Sequence, residues 1–133
     1  MACLVGTWKA DQPVGLQNVM DKLGIDCEKQ KLFLTAKPIF TFTLIGNDSM
    51  KVKIDSEIRN SEFSFKFGEE FNEKTVLGSI CKAVFWRISD NEIIHIQRLP
   101  EGIVEVDHKV DGNTMIATVY VADTMCTQQF HRQ

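Results

Sequence analysis

The sequence predicts an all-β domain in which a helical segment lids a barrel around a ligand cavity. Three observations point there. Turn-forming clusters recur about once every ten residues, at Gly46-Asn47-Asp48, Arg59-Asn60, Gly68, Leu77-Gly78, Ser89-Asp90-Asn91, Pro100-Glu101-Gly102, Asp111-Gly112-Asn113 and Ala122-Asp123. Between these clusters side-chain character alternates with period two, the pattern of strands with one wet and one dry face. A single helical stretch, Leu16 to about Ala36, interrupts the pattern just after a first strand carrying Gly6-Thr7-Trp8-Lys9.

The helical stretch divides in two. Leu16, Val19, Met20 and Leu23 fall at i, i+3, i+4 and i+7, and Gly24 is placed to end that helix. Asp26 can cap a second helix running to Ala36, and Lys37-Pro38 stops it because the residue before proline avoids the helical region. Two short helices cannot cover a wide sheet, but they can close the mouth of a barrel.

In the strands, charged positions identify the outer face. Glu62, Ser64 and Lys66 take one side, so Phe63, Phe65 and Phe67 point inward. Thr41 and Thr43 leave Phe40, Phe42 and Leu44 for the interior. Glu105, Asp107 and Lys109 face water, which turns Val104, Val106, His108 and Val110 inward. Met115, Ala117, Val119 and Val121 form the next inner row, and Cys126, Gln128 and Phe130 share one face of the final strand. The strand Asn91 to Arg98 is ambiguous by pattern. If Ile93, His95 and Gln97 are its inner set, His95, Gln97, His108 and Gln128 could form a polar cluster, either mutually satisfied or offered to a polar ligand group.

Composition sets further bounds. With 133 residues and 44% hydrophobic content, residues 1–133 make one domain with material for a core and no room for a second. Fifteen basic against 18 acidic residues, a net charge of −3, argue against electrostatic capture of nucleic acid. Met1-Ala2-Cys3-Leu4 lacks the regions of a secretory leader, Ala2 stands where myristoylation requires glycine, and no apolar run approaches membrane-spanning length. The expectation is a soluble cytoplasmic protein. Cys3, Cys27, Cys81 and Cys126 are scattered, spell no zinc or dithiol motif, and are expected as free thiols. Asn47-Asp48-Ser49 fits a glycosylation sequon, which matters only after export.

Taken in order along the whole chain, Gly6-Thr7-Trp8-Lys9, Lys22-Leu23-Gly24, Lys37-Pro38, Ser64-Phe65-Lys66-Phe67-Gly68-Glu69-Glu70-Phe71 and Val110-Asp111-Gly112 resemble the cytosolic fatty acid-binding protein family. The resemblance implies a ten-stranded antiparallel up-and-down β-barrel, with a helix-turn-helix lid between the first two strands acting as a portal. Many members hold a fatty acid carboxylate with two arginines and a tyrosine. Counting back from Cys126-Thr127 puts His108, Gln128 and Phe130 at those positions, so all three differ; the strand alternation keeps the first at His108 rather than at the outward Asp107. Thr75-Val76-Leu77-Gly78-Ser79 stands where the family often has T-A-D-x-R, replacing a polar gate with apolar side chains, and one extra residue near Asp48-Ser49 predicts a longer turn.

The expected ligand-binding set is therefore His108, Gln128 and Phe130, with Gln97, His95, Val106, Ala117 and Val119 on the neighbouring strands. Leu16, Met20, Phe33 and Ala36 join it from the lid, and Phe40, Ile54, Ser56 and Ile58 from beneath it. A full-length acyl chain buries on the order of 16 methylenes at about 0.8 kcal/mol each, whereas a charge-assisted head-group bond contributes roughly 1.5–3 kcal/mol. Loss of the arginines thus changes preference more than it abolishes lipid binding. The reading is a carrier of long-chain fatty acids or similar ligands with altered head-group recognition. Its alternative is a carrier of a neutral lipid such as a retinoid, monoacylglycerol or sterol, because related retinol-binding members carry glutamines where acid-binding ones have arginines. A protonated His108 would make oleate affinity rise as pH falls through its titration.

Other functions fit less well. His95, His108 and His131 come without a nucleophile elbow, metal-ligand spacing or phosphate loop, so neither an enzyme, a metal site nor a cofactor is expected. Lys22, Lys29, Lys31 and Lys37 around the lid could meet anionic bilayers during transfer, but Asp21, Asp26 and Glu28 interleave with them as on a solvated helix. A lipocalin shares Gly6-x-Trp8, yet its helix typically follows the barrel. A monomer is expected.

Overall fold

The computed structural model describes residues 3–75 and 77–133. Ten strands and two helices follow one another as β1 (Gly6–Ala10), α1 (Leu16–Lys22), α2 (Cys27–Thr35), β2 (Ile39–Leu44), β3 (Ser49–Asp55), β4 (Asn60–Lys66), β5 (Phe71–Lys74), β6 (Ile80–Ser89), β7 (Glu92–Leu99), β8 (Gly102–Asp111), β9 (Thr114–Val121) and β10 (Thr124–Arg132). The predicted barrel and lid are both present. Consecutive strands pair antiparallel except β4 with β5, and β10 returns to β1, giving the order β4-β3-β2-β1-β10-β9-β8-β7-β6-β5. β4 and β5 stand at the two ends of that order.

Side chains and loop bonds bridge the space between β4 and β5. Phe63 stacks on Phe71 with centroids 5.8 Å apart, and Phe65 on Phe85 at 3.8 Å. At one end of the gap Gly68 N donates to Phe85 O at 2.8 Å; at the other, Arg59 Nη1 donates to the Lys74 carbonyl at 2.9 Å. Ring stacking thus replaces the missing backbone ladder.

Two apolar clusters bracket the interior. The larger closes the far end with Leu4, Trp8, Phe42, Met50, Phe65, Phe85, Ile93, Val110, Met115 and Phe130. Trp8 donates from its indole to Leu4 O at 3.0 Å, and the Arg132 guanidinium lies 4.2 Å above its ring. Gly6 makes room for that arginine: a Cβ there would sit 2.8 Å from Arg132 Nη1, on a backbone with φ +132°. The smaller cluster, Val19, Val104, Val121 and Cys126, seals the underside of α1.

The lid follows the sequence logic. Gly24, at φ +70°, turns the chain out of α1, and Asp26 caps α2 by accepting from Lys29 N. Ala36 is extended, ahead of Lys37-Pro38. α1 packs on β10 and β9, and Lys22 reaches Asp123 at 3.0 Å in the turn between them. α2 is attached differently: its one buried residue is Gln30, whose amide donates to Asp21 Oδ1 at 3.0 Å and Ile25 O at 2.8 Å and also meets Gln17.

The inner rows fall as predicted, with one correction. Leu44 is 40% exposed although its row partner Phe42 is buried, because Leu44 is the last residue of β2 and only one side of it is covered at the rim. Trp86 lies on the outside, as the alternation of β6 implies. All four cysteines are free. Among the described residues no helix is long and apolar enough to cross a membrane, and no group of His, Cys, Asp or Glu is arranged to hold a metal.

Candidate functional site

Between the two clusters lies a cavity of about 290 Å³, and a second recess of about 210 Å³ opens beside it under α2. They share Leu16, Phe33, Phe40, Ile54, Arg59, Ala117, Val119 and Gln128 as walls. Every residue of the sequence-predicted set lines one or the other. His95, Gln97, Val106, His108, Phe130 and Met20 face the main cavity, while Ala36, Ser56 and Ile58 face the recess. Leu77 lines the cavity as an apolar replacement in the gate segment; Val76 lies outside the described residues.

Antiparallel register explains the deep wall. His108 pairs with Ala117 on β9, and Ala117 with Gln128 on β10, so the three make one row across the barrel. A small residue between two polar ones leaves space for a ligand. His108 is edged by aromatic rings, with centroids 6.0 Å from Phe42 and 6.3 Å from Phe40, and Phe130 lies 5.1 Å from Phe40. Burial in this apolar setting, reinforced by His95, pushes His108 down to about 3. The imidazole is therefore neutral at physiological pH; of the two forms the sequence leaves open for His108, these surroundings favour the uncharged one. Its Nδ1 is buried and has no hydrogen-bond partner among the described residues.

The inward orientation of His95 and Gln97 is met, but the four-member polar cluster it would allow does not form. His95 Nε2 lies 2.6 Å from Glu73 Oε1, and Gln97 Nε2 donates to Glu73 Oε2 at 2.7 Å, so these two are satisfied by a carboxylate the sequence reading did not include. The His95 ring also stacks on Phe85 at 4.0 Å. Gln128 lines both the cavity and the recess but donates to Asp11 O at 2.9 Å rather than to the other three. Of the expected cluster, only His108 keeps a buried, unpartnered side-chain atom.

Two further residues were missed. Glu73 is 2% exposed, and its signal was present: Phe71 faces in, so the residue two positions on shares its face. Arg59, read only as part of a turn, lines both the cavity and the recess and is the sole Lys or Arg among the described wall residues. Burial lowers the pKa of its guanidinium from the ordinary value, and the nearby Glu73 charge opposes that shift.

A largely apolar cavity under a helical lid, inside a ten-stranded barrel, is the form of a site for a hydrophobic ligand. The chain belongs to the fatty acid-binding protein family. It is 41% identical over 132 residues to fatty acid-binding protein type 3 of Fasciola hepatica, covering 99% of both chains. It is 34% identical to the 14 kDa fatty acid-binding protein of Schistosoma mansoni, over 99% of this chain and 98% of the relative. Among solved structures, the Schistosoma mansoni fatty acid binding protein in complex with arachidonic acid superposes with a TM-score of 0.95 at 33% identity, covering 100% of this chain and 98% of that one. Echinococcus granulosus fatty-acid-binding protein 1 gives 0.92 at 27%, covering 99% and 98%. No family model matches the sequence.

Proposed function

We propose that this protein is a monomeric, cytoplasmic, non-enzymatic carrier that holds one long-chain fatty acid in the barrel cavity, within the single domain formed by residues 1–133. The observation that carries this reading is the apolar cavity between the lid and the Trp8–Met115 cluster, in a chain whose solved relative carries arachidonic acid. Burying an acyl chain of about 16 methylenes supplies a gross driving force of ~12 kcal/mol before association and ordering costs. The chemistry on the walls is containment and orientation of the ligand.

The deep wall supports a second reading, a neutral lipid such as a monoacylglycerol, retinoid or sterol. The uncharged His108, with its unpartnered Nδ1, suits a hydroxyl better than a carboxylate. Lipids extracted from the purified protein and identified by mass spectrometry, together with calorimetric titration of the delipidated protein, distinguish the two. Fatty acids in the extract and 1:1 oleate binding are expected. Retinoids or sterols alone, with no oleate heat, would replace the first reading with the second. Transfer of ligand to anionic and zwitterionic vesicles at two salt concentrations reads any contact of the lid lysines with membranes.

A further inference from the structure

The cavity has two ends with different chemistry. The deep end offers a bound carboxylate no cation: His108 is neutral between Phe40 and Phe42, Gln128 is an uncharged amide with one N–H donated to Asp11 O, and Phe130 carries no polar atom. Burying a carboxylate there unpaired is costly. The portal end holds Arg59, which stands just before β4 and lines both the cavity and the recess.

We infer that Arg59 receives the carboxylate of a bound fatty acid, so that the chain lies with its head at the portal and its methyl end against Phe40, Phe42 and Phe130. This assignment rests on the fatty acid carrier reading.

Three observations support it. A guanidinium has five N–H donors, and one nitrogen of this one donates to the Lys74 carbonyl at 2.9 Å, which holds the group across the gap between β4 and β5. The neighbouring carboxylate does not take the rest: both oxygens of Glu73 are engaged by His95 and Gln97. Half-buried as it is, the guanidinium has lost part of its hydration, which the nearby Glu73 charge only partly offsets, and a carboxylate partner adds a paired, charge-assisted bond. The apolar tail then occupies the end of the cavity that has aromatic walls.

The test compares oleate with oleyl alcohol, which shares the tail and lacks the charge, in calorimetric titrations of the delipidated wild-type protein, Arg59→Gln and Lys53→Gln. Lys53 is an exposed outward lysine near Asp55 and controls for loss of one positive charge. Arg59→Gln is expected to weaken oleate roughly ten- to hundredfold while moving oleyl alcohol less than about threefold. Lys53→Gln should leave both unchanged. Retained alcohol binding also shows that the Arg59 variant is folded and its cavity intact. Oleate bound equally well by Arg59→Gln would overturn the assignment while leaving the carrier reading standing, and so would an equal loss of both ligands. Wild-type protein that binds the alcohol but no oleate would overturn the fatty acid reading and this inference with it.

Discussion

At the closed end of the barrel Trp8, Leu4, Met50, Ile93 and Met115 have no solvent-accessible surface, whereas at the portal end α2 buries a single residue, and that residue is the polar Gln30. The first region is held by apolar burial and ring stacking. The second is held largely by side-chain hydrogen bonds, each worth only about 0.5–1.5 kcal/mol net because water competes for the same groups. The difference separates stability from access: α2 can open locally at a small fraction of the cost of unfolding the barrel. The same division runs through the polar groups, with a neutral imidazole deep inside and a guanidinium at the mouth.

The largest effect is expected at the closed end. Phe65 is 5% exposed and its ring stacks on Phe85 at 3.8 Å, so Phe65→Ala should lose roughly 3–5 kcal/mol of stability in urea denaturation. A loss below about 1 kcal/mol would mean that the rings do not hold the gap between β4 and β5.

A smaller effect is expected at His108, and it depends on pH. His108 is neutral in the folded barrel down to about 3, while the unfolded chain takes up a proton near the ordinary 6.5. Between those values the unfolded state binds the extra proton, so stability falls as pH drops below about 6.5. His108→Gln removes this contribution. From pH 7 to pH 4.5 the variant should lose less stability than wild type, by roughly 2 kcal/mol. Asp107 acts with the opposite sign: burial and its neighbour Glu92 push it up to about 6, so the folded state is the one that gains a proton there as pH falls. It is present in both proteins and cancels in the comparison. Parallel stability curves would show that His108 takes up its proton in the folded barrel as readily as in the unfolded chain. The notion that oleate affinity follows a His108 titration near neutral pH is then the reading to restore.

The smallest effect is expected in the lid. Gln30→Ala removes the bonds to Asp21 and Ile25, and should speed oleate release to acceptor vesicles about fivefold while changing global stability by less than about 1 kcal/mol. Unchanged release kinetics would show that α2 does not gate the cavity.

Much of this architecture was legible in the sequence because strands have period two. Once Glu62, Ser64 and Lys66 were placed outside, Phe63, Phe65 and Phe67 had to point in, and the same rule set His108, Ala117 and Gln128 on inner faces. The rule fails where it lacks length or context. β5 is four residues long, Phe71–Lys74, and its charged Glu73 reads as a surface residue unless the inward Phe71 two positions before it is used. Arg59 sits in a turn, where no periodicity exists to orient a side chain. Leu44 obeyed the alternation but reached the rim, where facing inward no longer means being covered. Pairing is harder still to read: alternation puts His108 and Gln128 inside, leaves His95 and Gln97 undecided, and says nothing of the partners that separate them, Glu73 for two and the Asp11 carbonyl for another.

The most direct measurement is a crystal structure of the protein with oleate bound. The carboxylate is expected within hydrogen-bond distance of Arg59 at the portal, with the methyl end against Phe40 and Phe130. A carboxylate seated instead between His108 and Gln128 would contradict the division of the cavity into a neutral deep end and a cationic mouth.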